Sequence, residues 1–88
     1  MFFAKIDYQY TDSQGVISPE HELEFLVDAK TQEEAEKLIR DDMILNHPYG
    51  IEFLSEEYKV ADYVPPNIRD QVESEKIAIV VWLHEELN

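Results

Sequence analysis

The chain contains no cysteine, and this absence excludes both a disulfide framework and a thiolate metal site. Its two glycines stand far apart, so there is no glycine-rich loop to cradle a phosphate. No apolar run approaches the ~20 residues that a membrane-spanning helix needs. The first ten residues, MFFAKIDYQY, lack the basic segment and the cleavage site of a signal peptide. We therefore expect a cytoplasmic protein, with residues 1–88 forming a single domain.

Basic residues are scarce as well: seven Lys and Arg oppose twenty Asp and Glu, which gives a formal net charge of −13. Phosphate groups and anionic membrane surfaces are bound by clusters of Lys and Arg, so neither nucleic acid nor a membrane is expected as a direct partner. Self-repulsion at this charge also opposes compaction. An acidic surface can serve solubility alone, but its field also attracts basic proteins, and we take the second interpretation as the lead.

The first half of the chain shows two kinds of periodicity. Apolar and polar residues alternate over residues 2–11 and again over residues 20–28, which predicts two strands joined as an antiparallel hairpin through the TDSQG turn. The spacing of apolar residues then becomes helical and predicts a helix over residues 32–45. Thr31 and Glu34 have the spacing of a capping box at its start.

The second half predicts two more strands and a short helix. A third strand follows Gly50, and its alternation slips at Ser55–Glu57, which indicates a bulge. NIRDQVESE is a candidate for a short second helix, and KIAIVVWLHEE is the last strand. The continuous apolar run of that strand predicts a central position in the sheet, with Trp82 and His84 on one face. The fold class is therefore α+β, in the order β-β-α-β-(short α)-β, with one main helix packed on a small, mostly antiparallel sheet.

The sequence contains none of the familiar catalytic or metal-binding patterns. His21, His47 and His84 do not form an H-x-x-x-H or H-E-x-x-H spacing, and no serine lies in a G-x-S-x-G turn. A paired-carboxylate site needs a cleft, which a domain of this size rarely provides. We expect no catalytic residue, no metal and no cofactor, and hence a protein that is not an enzyme.

The acidic residues themselves are the strongest functional signal. In the second strand Glu20, Glu22 and Glu24 share one face, opposite the apolar residues, with neighbours ~6.6 Å apart at a strand rise of ~3.3 Å per residue. A nucleic-acid strand places one phosphate every ~3.4 Å, so the row of carboxylates has a charge density of a similar order. Exposed tyrosines suit protein interfaces, because they offer rigid contact area with a polar tip. The predicted partner-binding residues are Glu20, Glu22, Glu24, Asp41, Asp42, Glu52, Glu56, Glu57 and Asp62, with Tyr49 and Tyr63 as anchors.

The carboxylates of the predicted strands, in EHELE and SEEYKVAD, combine with small size, a net charge of −13 and the absence of cysteine. In these respects the chain resembles the small acidic inhibitors of bacteriophages and mobile elements. That class includes DNA-mimic anti-restriction proteins, anti-CRISPR proteins and uracil-DNA glycosylase inhibitors. Its members share no motif, so the resemblance assigns no role to any residue. Some act as dimers, so a homodimer stays open.

Taken together, these features predict a non-catalytic inhibitor whose carboxylates imitate phosphates. Its partner would be a basic nucleic-acid-binding protein, such as a nuclease, a restriction enzyme or a CRISPR effector, in the cytoplasm of a host cell. Two alternatives stay open. One is an immunity or antitoxin protein that neutralises a basic nuclease toxin, and the other is a small adaptor domain with an acidic surface.

Overall fold

A computed structural model of the chain describes residues 1–64 and 66–79. The fold is α+β and has the element order β-β-α-β-α-β, which confirms the predicted class. No helix among the described residues is long and apolar enough to cross a membrane. The elements are β1 (Phe2–Tyr10), β2 (His21–Val27), α1 (Gln32–Asn46), β3 (Ile51–Val60), α2 (Pro66–Glu75) and β4 (Ile77–Ile79).

The four strands form one antiparallel sheet in the order β3-β1-β2-β4. The predicted hairpin of β1 and β2 is confirmed, and β3 pairs with the other side of β1. As a result, β1 is bonded along both of its edges. This arrangement defines two ends of the sheet: the loop end, where Tyr10 pairs with Ile51, and the α2 end, where Phe2 pairs with Val27 and Val60.

The predicted central position of the last strand is wrong for its described part, because β4 pairs only with β2, at one side of the described sheet. The apolar run of this strand has a different explanation. Ala78 is buried under α2, whereas Ile77 packs on the core beneath α1, so helices cover both faces. Trp82 and His84, which were assigned to this strand, lie outside the described residues.

Helix α1 covers one face of the sheet and encloses the larger core. Ala35, Ile39 and Met43 lie four residues apart on one side of the helix and are buried. They contact the alternate residues of β1 and β2 that face the helix, Ala4, Ile6, Tyr8, Phe25 and Val27. The Thr31 hydroxyl accepts a hydrogen bond from the Glu34 amide at 3.2 Å and caps the helix, as predicted.

Helix α2 packs on the opposite face, but only at the α2 end. Its buried residues Ile68 and Val72 form a second core with Leu26 and Ala78, and Phe3 packs against this core. Because α2 is short and sits at one end, it leaves the rest of this face uncovered. The sheet is therefore enclosed on one side by α1 and half-covered on the other by α2.

A β-bulge interrupts the pairing of β1 with β3. Asp7 pairs with Ser55, whereas the next residue, Tyr8, pairs with Phe53, so Leu54 is the extra residue. The bulge was predicted from the broken alternation, but it lies one residue before the predicted span Ser55–Glu57. Because successive strand residues point to opposite faces, this insertion reverses the orientation of every residue that follows it.

We expect Ile39→Ala to lower the free energy of unfolding by about 2–5 kcal/mol, because it opens a cavity in the core under α1. Ile39 is fully buried. The matched control is Ile44→Ala on the same helix, where the side chain is 52% exposed and the loss should stay below about 1 kcal/mol. Urea denaturation followed by circular dichroism measures both, and equal losses would contradict the described core.

Candidate functional site

The uncovered part of the α2 side of the sheet, which we call the open face, contains most of the strand carboxylates. It is formed by alternate residues of three neighbouring strands, whose side chains point away from α1. Most of these side chains are exposed to solvent, and the rest are half-buried. The residues of the open face are Lys5, Asp7, Gln9, Glu22, Glu24, Glu52, Ser55, Glu57 and Lys59.

Lys5 is the basic residue at the centre of the open face. It pairs in register with Glu24 on one side and Glu57 on the other, and its Nζ atom lies 3.7 Å from a carboxylate oxygen of Glu22. The sequence prediction placed no cation among the glutamates of the second strand. The structure shows that the neighbouring strand supplies one, although both partners of the Lys5–Glu22 pair are about half exposed and screening weakens it.

Asp7 lies directly opposite Glu22 in the register of β1 and β2. Like charges placed opposite each other on neighbouring strands destabilise a sheet by roughly 0.2–1 kcal/mol. On its other side Asp7 accepts a hydrogen bond from the Ser55 hydroxyl, with 2.7 Å between the two oxygen atoms. The open face therefore includes a like-charge pair that opposes folding, beside the Lys5–Glu22 contact that partly offsets it.

Five predicted residues are grouped on or beside this face. Glu22 and Glu24 share it as the alternation predicted, and Glu20 is exposed immediately before β2. Glu52 and Glu57 reach the same face from β3. The sequence left open whether the two acidic strands adjoin, and they do not: β1 separates them, which places the rows about 10 Å apart at ~4.8 Å per strand.

Glu56 points the other way, toward α1, because the bulge reverses the alternation. Its carboxylate receives two hydrogen bonds from Arg40 Nε, at 3.0 and 3.2 Å, and one from Arg40 Nη2 at 2.6 Å. The Tyr58 hydroxyl donates a further one at 2.9 Å. The Arg40 hydrogen bonds are the main cause that lowers the pKa of Glu56, while burial is the main cause that raises the pKa of Tyr58. Glu56 thus joins α1 to β3 and is not part of the open face.

The other predicted carboxylates are also away from the open face. Asp41 is exposed on α1, 4.0 Å from Lys37, and Asp42 is half-buried on the same helix, where it accepts a hydrogen bond from Asn46. Asp62 was predicted within the third strand, but β3 ends at Val60 and Asp62 follows it. These three residues are not brought together with Glu22 and Glu24.

The two predicted tyrosine anchors are exposed but lie at opposite ends of the molecule. Tyr49 belongs to the loop between α1 and β3, at the loop end, and is 62% exposed. Tyr63 lies between β3 and α2, at the α2 end, and is 69% exposed. One flat partner surface therefore does not contact both tyrosines, and Tyr49 is the one that lies in the loop leading to Glu52 of β3.

Two histidines stack on two tyrosines at the loop end. The ring centroids of Tyr10 and His47 are 4.6 Å apart, and those of Tyr10 and His21 are 5.5 Å apart. Tyr8 lies beneath, with its ring centroid within 6 Å of both imidazoles. His21 therefore points away from Glu20 and Glu22, and residues 1–64 and 66–79 contain no group of three His, Asp or Glu that could hold a metal ion.

The sequence prediction missed Lys5 and Asp7, which occupy the centre of the open face. The alternation of β1 already placed them opposite Ala4 and Ile6, so a sheet with β1 in its middle would have included them. It also missed Arg40, whose partner Glu56 lies 16 residues away and depends on the bulge.

Comparisons of the chain with protein-family models, with curated proteins and with solved structures find no match. No functional residue is therefore transferred from a relative. The open face is defined by the register, the exposure and the charge of this chain alone.

The Arg40–Glu56 contact predicts a specific dependence of stability on pH. The pKa of Glu56 is lowered in the folded state from its ordinary value of 4.5, so its stabilising effect is present above that value and is lost as the pH falls through the folded-state pKa. At pH 7, Glu56→Gln should lower the free energy of unfolding by about 1 kcal/mol, and this difference from the unmodified protein should shrink in acid.

The measurement is urea denaturation of both proteins between pH 3 and pH 7. Asp41→Asn is the control, because the Lys37–Asp41 pair is far more exposed and should give no resolvable change. A Glu56→Gln difference that persists undiminished at pH 3 would contradict the charged hydrogen bond.

Proposed function

We propose that the protein is a non-catalytic inhibitor whose open face imitates the phosphates of a nucleic acid. It occupies the basic groove of a DNA- or RNA-binding protein, such as a nuclease, a restriction enzyme or a CRISPR effector. It acts in the cytoplasm by competitive exclusion and performs no chemistry of its own. Long-range attraction between opposite charges accelerates its association with the target.

The observation that carries this proposal is the composition of the open face. Five carboxylates from three strands, those of Asp7, Glu22, Glu24, Glu52 and Glu57, outnumber the two lysines of this face, Lys5 and Lys59. Their backbone is held on a paired sheet, so binding has only their side chains to order. A surface that served solubility alone would be more stable with lysines placed between its carboxylates. The like-charge pair Asp7–Glu22 instead lowers the stability of the sheet.

The spacing of the charges also suits a phosphate mimic. Glu22 and Glu24 lie ~6.6 Å apart along β2, and Glu57 forms part of a second row about 10 Å away across Lys5. Two rows of negative charge about 10 Å apart resemble the two backbones that flank a nucleic-acid groove more than they resemble one extended strand. This favours a target that binds a duplex.

The test is competition for a target. The double variant Glu22→Gln/Glu24→Gln should release labelled duplex DNA from purified restriction enzymes or CRISPR effectors at least about tenfold less effectively than the unmodified protein, because two charge contacts are lost. Fluorescence anisotropy measures the released duplex. The free energy of unfolding should change by less than about 1 kcal/mol, because both side chains are exposed and one relieves repulsion with Asp7.

The matched control is Glu33→Gln/Glu36→Gln, which removes the same charge from α1 on the other side of the sheet. It should compete almost as well as the unmodified protein. If the unmodified protein releases no nucleic acid from any basic target at low salt, or if its binding strengthens as salt is added, the proposed function is wrong.

A further inference from the structure

The loop end of the molecule exposes a group of large apolar side chains that no part of the described structure covers. They come from three segments: the β1–β2 loop, the last turns of α1 and the loop that leads into β3. Large apolar side chains exposed at one end of a protein often mark a site where another molecule binds. The residues, with their exposed fractions, are Val16 (59%), Ile17 (65%), Ile44 (52%), Leu45 (79%) and Tyr49 (62%).

These segments are held in place by hydrogen bonds. The amide of Thr11 donates to the carbonyl of Gly50 at 3.0 Å, which joins the two loops, and Thr11 also forms a β-bridge with Ile17. The Asp12 carboxylate accepts hydrogen bonds from the amides of Gln14 and Val16 at 2.8 and 2.9 Å. An apolar surface that is already ordered loses little conformational entropy when a partner binds.

The distribution of charge indicates what kind of partner fits. The parts of the chain at the loop end, residues 8–21 and 41–53, carry five of the twenty acidic residues and none of the seven lysines and arginines. A second copy of the chain would bring the same charge to the contact and be repelled. A partner with Lys and Arg around an apolar pocket would be attracted and would also cover the exposed side chains.

We propose that the loop end is an apolar anchor for a basic protein partner, with Ile17, Leu45 and Tyr49 entering a pocket bordered by Lys and Arg. This inference rests on the proposed function and extends it, because Glu20 and Glu52 connect the loop end to the open face. The open face supplies the salt-sensitive part of binding, and the apolar anchor supplies a part that salt does not screen. The target would then be distinguished from other basic proteins by the pocket beside its groove.

The experiment uses three synthetic peptides and the full-length, ¹⁵N-labelled protein. The first peptide combines Lys and Arg with Leu and Trp, the second has the same basic residues with Gly and Ser, and the third has Leu and Trp with no charge. We expect the first to bind at least tenfold more tightly than the second, with amide shift changes at Ile17, Leu45 and Tyr49. The third should bind weakly.

Two variants distinguish binding through the apolar anchor from a general effect of mutation on affinity. Ile17→Ser/Leu45→Ser should reduce the affinity for the first peptide to that for the second and leave the second unchanged. Val60→Ser, an exposed apolar residue at the α2 end, should change neither affinity. Urea denaturation of each variant checks that the protein is folded.

Each contrary result has a distinct meaning. Equal binding of both basic peptides at the open face would leave the proposed function intact and overturn the apolar anchor. Binding of neither basic peptide would overturn the apolar anchor, while the competition with duplex DNA decides the proposed function separately. Equal binding of the uncharged peptide, or a dimer in sedimentation analysis that Ile17→Ser/Leu45→Ser abolishes, would overturn the requirement for a basic partner.

Discussion

The bulge at Leu54 decides which side chains of β3 belong to the core and which belong to the open face. With strict alternation from Ile51 and Phe53, Glu57 would point toward α1 and Tyr58 would point away from the core. The extra residue turns Tyr58 inward against the core and places Glu56 within reach of Arg40. It also turns Glu57 outward beside Lys5. One inserted residue therefore completes both the contact between α1 and β3 and the acidic surface on the other side.

Much of the fold could be predicted from the sequence because the periodicity of β1, β2 and α1 is regular over long stretches. The position of β4 could not be predicted. An apolar run indicates that both faces of a strand are buried, but it does not indicate which strands pair with its edges. In this chain the covering comes from α1 on one face, against Ile77, and from α2 on the other, against Ala78. The order of strands depends on contacts between distant residues, which a local pattern does not contain.

The candidate site was partly predictable for the same reason. The shared face of Glu22 and Glu24 follows from local alternation, whereas their relation to Lys5, Asp7 and Glu57 depends on the register of three strands. The amino-acid composition does not distinguish one acidic residue from another, whereas the structure shows that they have different surroundings. Glu56 is held by Arg40 on the α1 side of the sheet, and Glu57, its neighbour in sequence, is exposed on the open face.

The segregation of charge connects stability to the proposed function. Each like-charge pair costs roughly 0.2–1 kcal/mol, against a total stability of about 5–15 kcal/mol for a native protein. Spreading the seven basic residues evenly would reduce this cost, yet none of them lies in residues 6–29 or 41–58. The free energy gained by burying apolar residues in the cores under α1 and α2 must therefore offset this repulsion. A surface that is unfavourable for the free protein would become favourable when opposite charges neutralise it, so the proposed basic partner would relieve this repulsion on binding.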